Sequence, residues 1–175
     1  MRISLNFKED HLIIEKQIGR RPRGEFWVEK RCLKNSPVVI LTYPVRGKEL
    51  FPTLYYLTCP HLVKEVSQLE GSGLVRELQD RLASDEAFQK DFHDAQSHYR
   101  GKRFSLSVPE EESMIGPNKV RIIKESGIAG AKNLTRIKCL HAHYAHFLAS
   151  GRNPVGEIVQ KKLKPAINCT KDYGL

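Results

Sequence analysis

Hydrophobic positions in the first third of the chain predict one short helix followed by strands. Residues 8–18 place apolar side chains at helical spacing, and Gly19 ends this segment. Strands are predicted over 25–33 and 37–43, joined by a KNS turn; the second is apolar throughout, as expected for a strand buried on both faces. Aromatic and β-branched residues predict a third strand over 53–58.

Helical spacing dominates the rest of the sequence. Pro60 is well placed as the first residue of a helix over 60–70, in which apolar residues recur every three or four positions. Further helices are predicted over 74–83, 86–100, about 134–150 and 157–164. Residues 101–119 contain Gly, Ser, Pro and an EEE run and predict a mobile connection. The predicted fold class is α+β: a single domain over 1–175, with a small antiparallel or mixed sheet near the N-terminus packed by several helices.

Composition is that of an ordinary globular protein. The 175 residues are 40% hydrophobic and 28% charged, which suits one domain with a real core. No apolar run approaches the roughly 18 residues needed to span a bilayer. The first residues include acidic side chains and no cleavable apolar stretch, so no signal peptide is expected. We therefore expect a cytoplasmic protein without a membrane segment.

The charge balance favours anionic partners. The formal net charge is +9, and the densest positive cluster is Arg20, Arg21 and Arg23 around Pro22. These arginines are candidate anion-binding residues for an anionic small molecule, polyphosphate or nucleic acid. A merely solvated basic surface is the alternative, because basic residues are scattered along the whole chain.

Cysteines supply the first candidate chemistry. Cys32, Cys59, Cys139 and Cys169 include no Cys-x-x-Cys pair, so any shared site must be assembled by the fold. In a secreted protein they could form two disulfides, whereas a cytoplasmic chain would keep them as thiols, metal ligands or reactive groups. Cys32 and Cys59 fall at or just beyond the ends of predicted strands, where folds commonly present functional groups. Cys59 also precedes Pro60, so a helix dipole would favour a thiolate there.

The segment from 139 to 146 packs one cysteine and three histidines into eight positions. At about 100° per residue, Cys139, His143 and His146 fall on one side of the predicted helix, and His141 sits apart. Thiolate and imidazole are donors that zinc, iron and copper accept. The alternative is that the cysteine acts as a small hydrophobe and the histidines are packing or surface residues.

Three separated motifs resemble a bacterial family known only as domain of unknown function number five hundred and one. They are FPTLYYLTCPHLVKEVSQLE, the IKCLHAHYAHFLA helix and the NPVG turn, and the resemblance runs from about residue 10 to the C-terminal tail. It implies a small bacterial cytoplasmic protein without a settled activity; some members are described loosely as exopolyphosphatase-related. The positions that match family motifs are Cys32, Cys59, Pro60, Cys139, His141, His146, Asn153, Pro154, Gly156 and Cys169. His143 is less typical.

Three functional hypotheses follow. In the first, the four cysteines converge on one iron–sulfur cluster or zinc ion, with His141 or His146 replacing or supporting a ligand. The second is a nucleic-acid-binding or ribosome-associated basic module without metal. The third is a metal-free enzyme with Cys59 or Cys139 as nucleophile and His141 or His146 as base. For it, Cys139 with His143 is the better-oriented pair, because helix positions 139 and 141 face apart. Whether the protein is an enzyme, its reaction and its oligomeric state stay open.

Overall fold

The chain folds as one α+β domain, with a small antiparallel sheet near the N-terminus and helices packed on it, so the predicted fold class is confirmed. The structure is a computed structural model that describes residues 7–22, 24–107 and 113–163. In chain order its elements are α1 (Phe7–Ile18), β1 (Phe26–Arg31), β2 (Pro37–Thr42), β3 (Val45–Arg46), β4 (Glu49–Leu50), β5 (Tyr55–Leu57), α2 (Pro60–Gly71), α3 (Leu74–Ser84), α4 (Glu86–Phe104), α5 (Pro117–Glu125), a 3-10 turn (Ile128–Gly130), α6 (Leu140–Ser150) and α7 (Pro154–Lys162).

The sheet has helices on both faces. Its strand order is β1-β2-β5, both pairs are antiparallel, and every residue of the central strand β2 is buried. On one face Ile14 of α1 packs against Phe26 and Ile40. On the other face Val39 and Leu41 belong to the main hydrophobic core, which the helices complete. The expectation that β2 is buried on both faces is confirmed. The short β3–β4 hairpin was not anticipated.

Helix α6 lies at the centre of the helical layer. It packs against α2, α7 and β5, and six of its eleven residues are buried. It ends at Gly151, whose positive φ of 70° suits a glycine, as predicted. The predicted start near 134 is wrong, because the preceding backbone donors have other partners: the amide of Thr135 donates to Asn133 Oδ1, and that of Ile137 donates to Gln79 Oε1.

The NPVG motif begins a helix, which corrects the predicted turn. Asn153 is the N-cap of α7 and its Oδ1 accepts a hydrogen bond from the Gly156 amide at 3.0 Å, while Pro154 is the first helical residue. Gly156 sits where α6 and α7 approach most closely. A Cβ at this position would lie 2.4 Å from Phe147 Cβ and 2.6 Å from the His143 carbonyl oxygen. The motif therefore has a structural reason: a cap, a helix start and a close helix contact.

Helices extend into both ends of the predicted 101–119 connection. Helix α4 continues to Phe104, and α5 begins at Pro117, while 108–112 lie outside the described residues. Arg103, fully buried near the end of α4, donates to the carbonyl oxygens of Ile123 at 2.7 Å, Pro52 at 2.9 Å and Ser126. It thereby joins α4 to α5 and to the segment before β5. Within the described ranges, no helix has the length and apolarity to cross a membrane.

Candidate metal site

Three side chains with metal-binding donor atoms meet where the end of α2 faces the start of α6. Cys139 Sγ lies 3.8 Å from His141 Nδ1, and Glu70 Oε1 lies 3.3 Å from the same nitrogen. One donor atom from each residue lies within 4.8 Å of the other two. In the described part of the chain, this is the one group of three His, Cys, Asp or Glu side chains that meets this distance.

The backbone explains why Cys139 reaches His141. Cys139 is the N-cap of α6 and is extended, with φ −155° and ψ 119°, so the helical angle of about 100° per residue does not apply to it. The expectation that positions 139 and 141 face apart is therefore wrong. Glu70 is held at the same place because its Oε1 accepts a hydrogen bond from the Leu140 amide at 2.6 Å. This carboxylate satisfies an amide at the start of α6 and interacts favourably with the helix dipole.

The protonation of His141 is set by its neighbours on α2. His141 Nε2 lies 3.0 Å from the Val63 carbonyl oxygen and 3.2 Å from Ser67 Oγ. Since a carbonyl oxygen only accepts, Nε2 carries a hydrogen and Nδ1 faces the thiol and the carboxylate. The hydrogen bond to Cys139 raises the pKa of His141 to about 9, the Val63 carbonyl and the Glu70 charge add to this, and burial opposes it. Imidazolium and negative charge on sulfur or carboxylate therefore stabilise each other here.

Cys32 and Cys59 do not join this group. Cys59 is buried in the main core and, as predicted, directly precedes the helix start at Pro60. Cys32 is half-buried and begins the turn after β1, where its carbonyl oxygen accepts from the Asn35 amide at 2.9 Å. All three described cysteines are free thiols, and Cys169 lies outside the described residues.

His143 and His146 belong to a second, buried polar cluster. His146 Nε2 lies 2.9 Å from His98 Nδ1, and its Nδ1 lies 3.1 Å from Asn153 Nδ2. The same Asn153 nitrogen lies 3.2 Å from His143 Nδ1. Burial lowers the pKa of His143 to about 4 and that of His146 to about 3. Both rings are therefore neutral near pH 7. The structure thus does not bring Cys139, His143 and His146 into one donor group.

The predicted anion-binding arginines occupy two different environments. Arg20 is exposed and lines a cavity between α1, the sheet and α2. Arg21 points to solvent, with 89% of its side chain exposed and its Nε 3.6 Å from Glu15 Oε1. Arg23 lies outside the described residues.

Sequence reasoning missed Glu70 and His98. Nothing local marks Glu70 as a ligand, because it contacts a residue 70 positions further along the chain. His98 stands on α4, and only the fold brings it to His146. The sequence did contain a signal for the role of Asn153. An Asn-Pro pair is typical of a helix N-cap followed by the first helical residue.

A comparison with protein families decides which family this is. The sequence profile described as "Protein of unknown function (DUF501)" matches residues 28–161. The chain belongs to the DUF501 family. The matched part of this DUF501 domain contains Glu70, Cys139 and His141, together with the NPVG motif. Comparisons with curated proteins and with solved structures found no match.

Proposed function

We propose that this DUF501 protein is a metalloprotein in which Glu70, Cys139 and His141 bind one zinc ion. The distances between the donor atoms carry the proposal. Bond lengths of about 2.3 Å to sulfur, 2.1 Å to nitrogen and 2.0 Å to oxygen give tetrahedral edges of about 3.6 Å for S···N and about 3.3 Å for N···O. The corresponding distances are 3.8 Å from Cys139 to His141 and 3.3 Å from His141 to Glu70. Two of the three donor spacings therefore match a tetrahedral zinc site, and the third, between Cys139 and Glu70, is within 4.8 Å.

The surroundings of His141 also favour zinc binding by this residue. Metal-binding histidines commonly donate their second ring N–H to a carbonyl or carboxylate, which fixes the tautomer and the ring orientation. The Val63 carbonyl oxygen, 3.0 Å from Nε2, supplies such an acceptor. The ion would bind Nδ1 and would displace the proton that this nitrogen carries in the imidazolium form. One thiolate and one carboxylate would balance the charge of a divalent cation. The site is also partly exposed, because the side chains of His141 and Glu70 are 21% and 30% accessible, so an ion can enter.

The donor set favours a single zinc ion over an iron–sulfur cluster. A cluster is held by four thiolates or by a mixture of thiolates and imidazoles. Here one thiol is combined with an imidazole and a carboxylate, and Cys32 and Cys59 lie outside the group. Three protein ligands leave the fourth tetrahedral position for water or a substrate, as in catalytic zinc sites. A zinc ion held by these three residues would lower the pKa of a water molecule in the fourth position to about 7 and would so supply hydroxide near neutral pH.

Metal titration tests the proposal directly. Protein stripped with a chelator is titrated with zinc against a competing chromogenic chelator, and one equivalent is expected to bind. Cobalt in place of zinc is expected to give the visible bands of a tetrahedral ion and a thiolate-to-cobalt charge-transfer band in the near ultraviolet. Cys139→Ser removes that band, and Glu70→Gln weakens binding without removing it.

A matched control separates this site from the remaining thiols. Cys32→Ser removes another half-buried thiol and is expected to leave the stoichiometry and the charge-transfer band unchanged. Zinc is also expected to protect Cys139 from alkylation by iodoacetamide. If stripped protein binds no zinc or cobalt while Cys139 still reacts rapidly, the proposal is wrong, and the metal-free nucleophile is favoured instead.

A further inference from the structure

A second candidate site lies beside the first turn of α2, in a cavity of about 540 Å³. The end of α1, strands β2 and β5, and the first turn of α2 surround it, so its walls come from well separated parts of the sequence. Cavities that hold small molecules typically measure about 300–1,000 Å³ and combine an apolar lining with a few polar groups. This one fits that size and composition.

Two positively charged side chains line the cavity. Arg20 follows α1 and Lys64 belongs to α2, and both are exposed. None of the described residues that line the cavity is an aspartate or a glutamate. Burial raises the pKa of Tyr56, while a hydrogen bond with the Thr53 side chain and the charge of the nearby Arg20 oppose that rise. The charged rim therefore selects an anion and has no internal acid that neutralises it.

The remaining lining suits a planar, partly apolar body. Phe51 and Tyr56 contribute aromatic rings, and Ile40 and Val63 contribute aliphatic surface. Aromatic rings of this kind stack with heterocyclic bases, which is a general and sequence-tolerant source of affinity.

One polar atom at the wall has a specific requirement. Gln17 is buried and lines the cavity; its Nε2 donates to the Pro37 carbonyl oxygen at 2.9 Å. That hydrogen bond fixes the amide orientation and leaves Oε1 buried with no hydrogen-bond partner. A buried acceptor without a donor costs about 1–3 kcal/mol. The atom is sealed from solvent, so a ligand N–H or O–H group reaches it only after the Gln17 side chain turns toward the cavity.

We infer that this cavity binds a nucleoside monophosphate. The phosphate lies at Arg20 and Lys64, and the base lies against the aromatic rings of Phe51 and Tyr56. The inference is independent of zinc, since none of the three metal-binding residues lines the cavity.

Isothermal titration with adenosine 5′-monophosphate tests the inference on the full chain. One saturable site is expected. Arg20→Ala and Lys64→Ala each remove a charge-assisted contact and are expected to weaken binding about tenfold or more. Both residues are exposed, so these variants keep the fold, which circular dichroism and thermal melting verify. Ribose 5-phosphate, which lacks the base, is expected to bind about tenfold more weakly than the nucleotide if the base stacks.

Arg21→Ala is the matched control. Arg21 follows Arg20 directly and has the same charge, but it is not among the lining residues. Its replacement is expected to leave the affinity within about twofold of the original, since its contribution is at most a screened, solvent-exposed charge. The inference is overturned if none of the four common ribonucleoside monophosphates binds at millimolar concentration. It is also overturned if Arg21→Ala and Arg20→Ala weaken binding equally, because binding would then be non-specific attraction to a basic surface.

Discussion

Acid destabilises this protein through the buried ring of His146. The ring is fully buried, lies stacked on Tyr55 at 5.6 Å between centroids, and meets Tyr99 edge-on at 5.3 Å. The amide of Asn153 is oriented by the Gly156 N–H, so its Nδ2 donates to His146 Nδ1. A proton added to Nδ1 would therefore oppose an existing donor and be buried without a counter-charge.

The magnitude follows from linkage. Burial, with smaller contributions from the charges of His98 and His143, lowers the pKa of His146 to about 3 in the folded protein. The unfolded chain has the ordinary histidine value of about 6.5, so the stabilising contribution is present above pH 6.5 and is lost as the pH falls toward 3. At pH 5 this histidine is protonated in the unfolded state but still neutral in the folded state. The free-energy loss therefore accumulates over about 1.5 pH units, from pH 6.5 to pH 5. At about 1.4 kcal/mol per unit, His146 thus removes about 2 kcal/mol of the free energy of unfolding between pH 7 and pH 5.

Urea unfolding at pH 7, 6 and 5 measures this loss. His146→Gln keeps a polar side chain but does not titrate, so its stability at pH 7 is lower while its decline from pH 7 to pH 5 is smaller by about 2 kcal/mol. His61→Gln changes an exposed histidine at the start of α2 and serves as the control for replacing any histidine. The reasoning is refuted if His146→Gln loses as much stability between pH 7 and pH 5 as the unmodified protein.

Three further substitutions test the buried contacts that hold the helices together. Gly156→Ala places a Cβ against the His143 carbonyl oxygen, and backbone atoms cannot easily move away. The free energy of unfolding in a chemical denaturant is expected to fall by about 1–3 kcal/mol. An unchanged unfolding midpoint would show that α6 and α7 separate freely. Arg103→Met leaves three carbonyl oxygens without their donor. It is expected to lower the midpoint of thermal unfolding more than Arg76→Met, which replaces an exposed arginine and serves as the control. Tyr99→Phe leaves the Leu54 amide without the hydroxyl oxygen that accepts from it at 2.6 Å, and about 1–3 kcal/mol of stability should be lost in urea titrations; a neutral effect would mean that another acceptor replaces it.

Much of the fold was predictable because its signals are local. The uniformly apolar run of β2, Pro60 at the start of α2 and Gly151 at the end of α6 each follow from backbone chemistry within a few residues. The errors came from hydrogen bonds between residues far apart in the sequence, which compete with local helix formation. Gln79, on α3, accepts from the Ile137 amide, and so the chain stays non-helical before Leu140, where the apolar spacing alone predicts a helix.

The candidate site was predictable only in part for the same reason. Cys139 and His141 were recognisable as donors by residue type, but their relation depends on where α6 begins. Assigning Cys139 to the helix separated it from His141, whereas the extended N-cap brings the two together. Glu70 could not be found at all, because a single carboxylate near a helix end has no distinctive pattern.

The position of Glu70 has a mechanical consequence for the whole helical layer. Any ion held jointly by Glu70 and the α6 residues would cross-link two points 70 residues apart in the chain, with α3, α4 and α5 inside the closed loop. A cross-link spanning a loop of that length removes unfolded-state entropy worth about 4 kcal/mol. Loading the site would therefore slow the exchange of those amides that open only when the whole domain unfolds, including amides far from the bound ion itself.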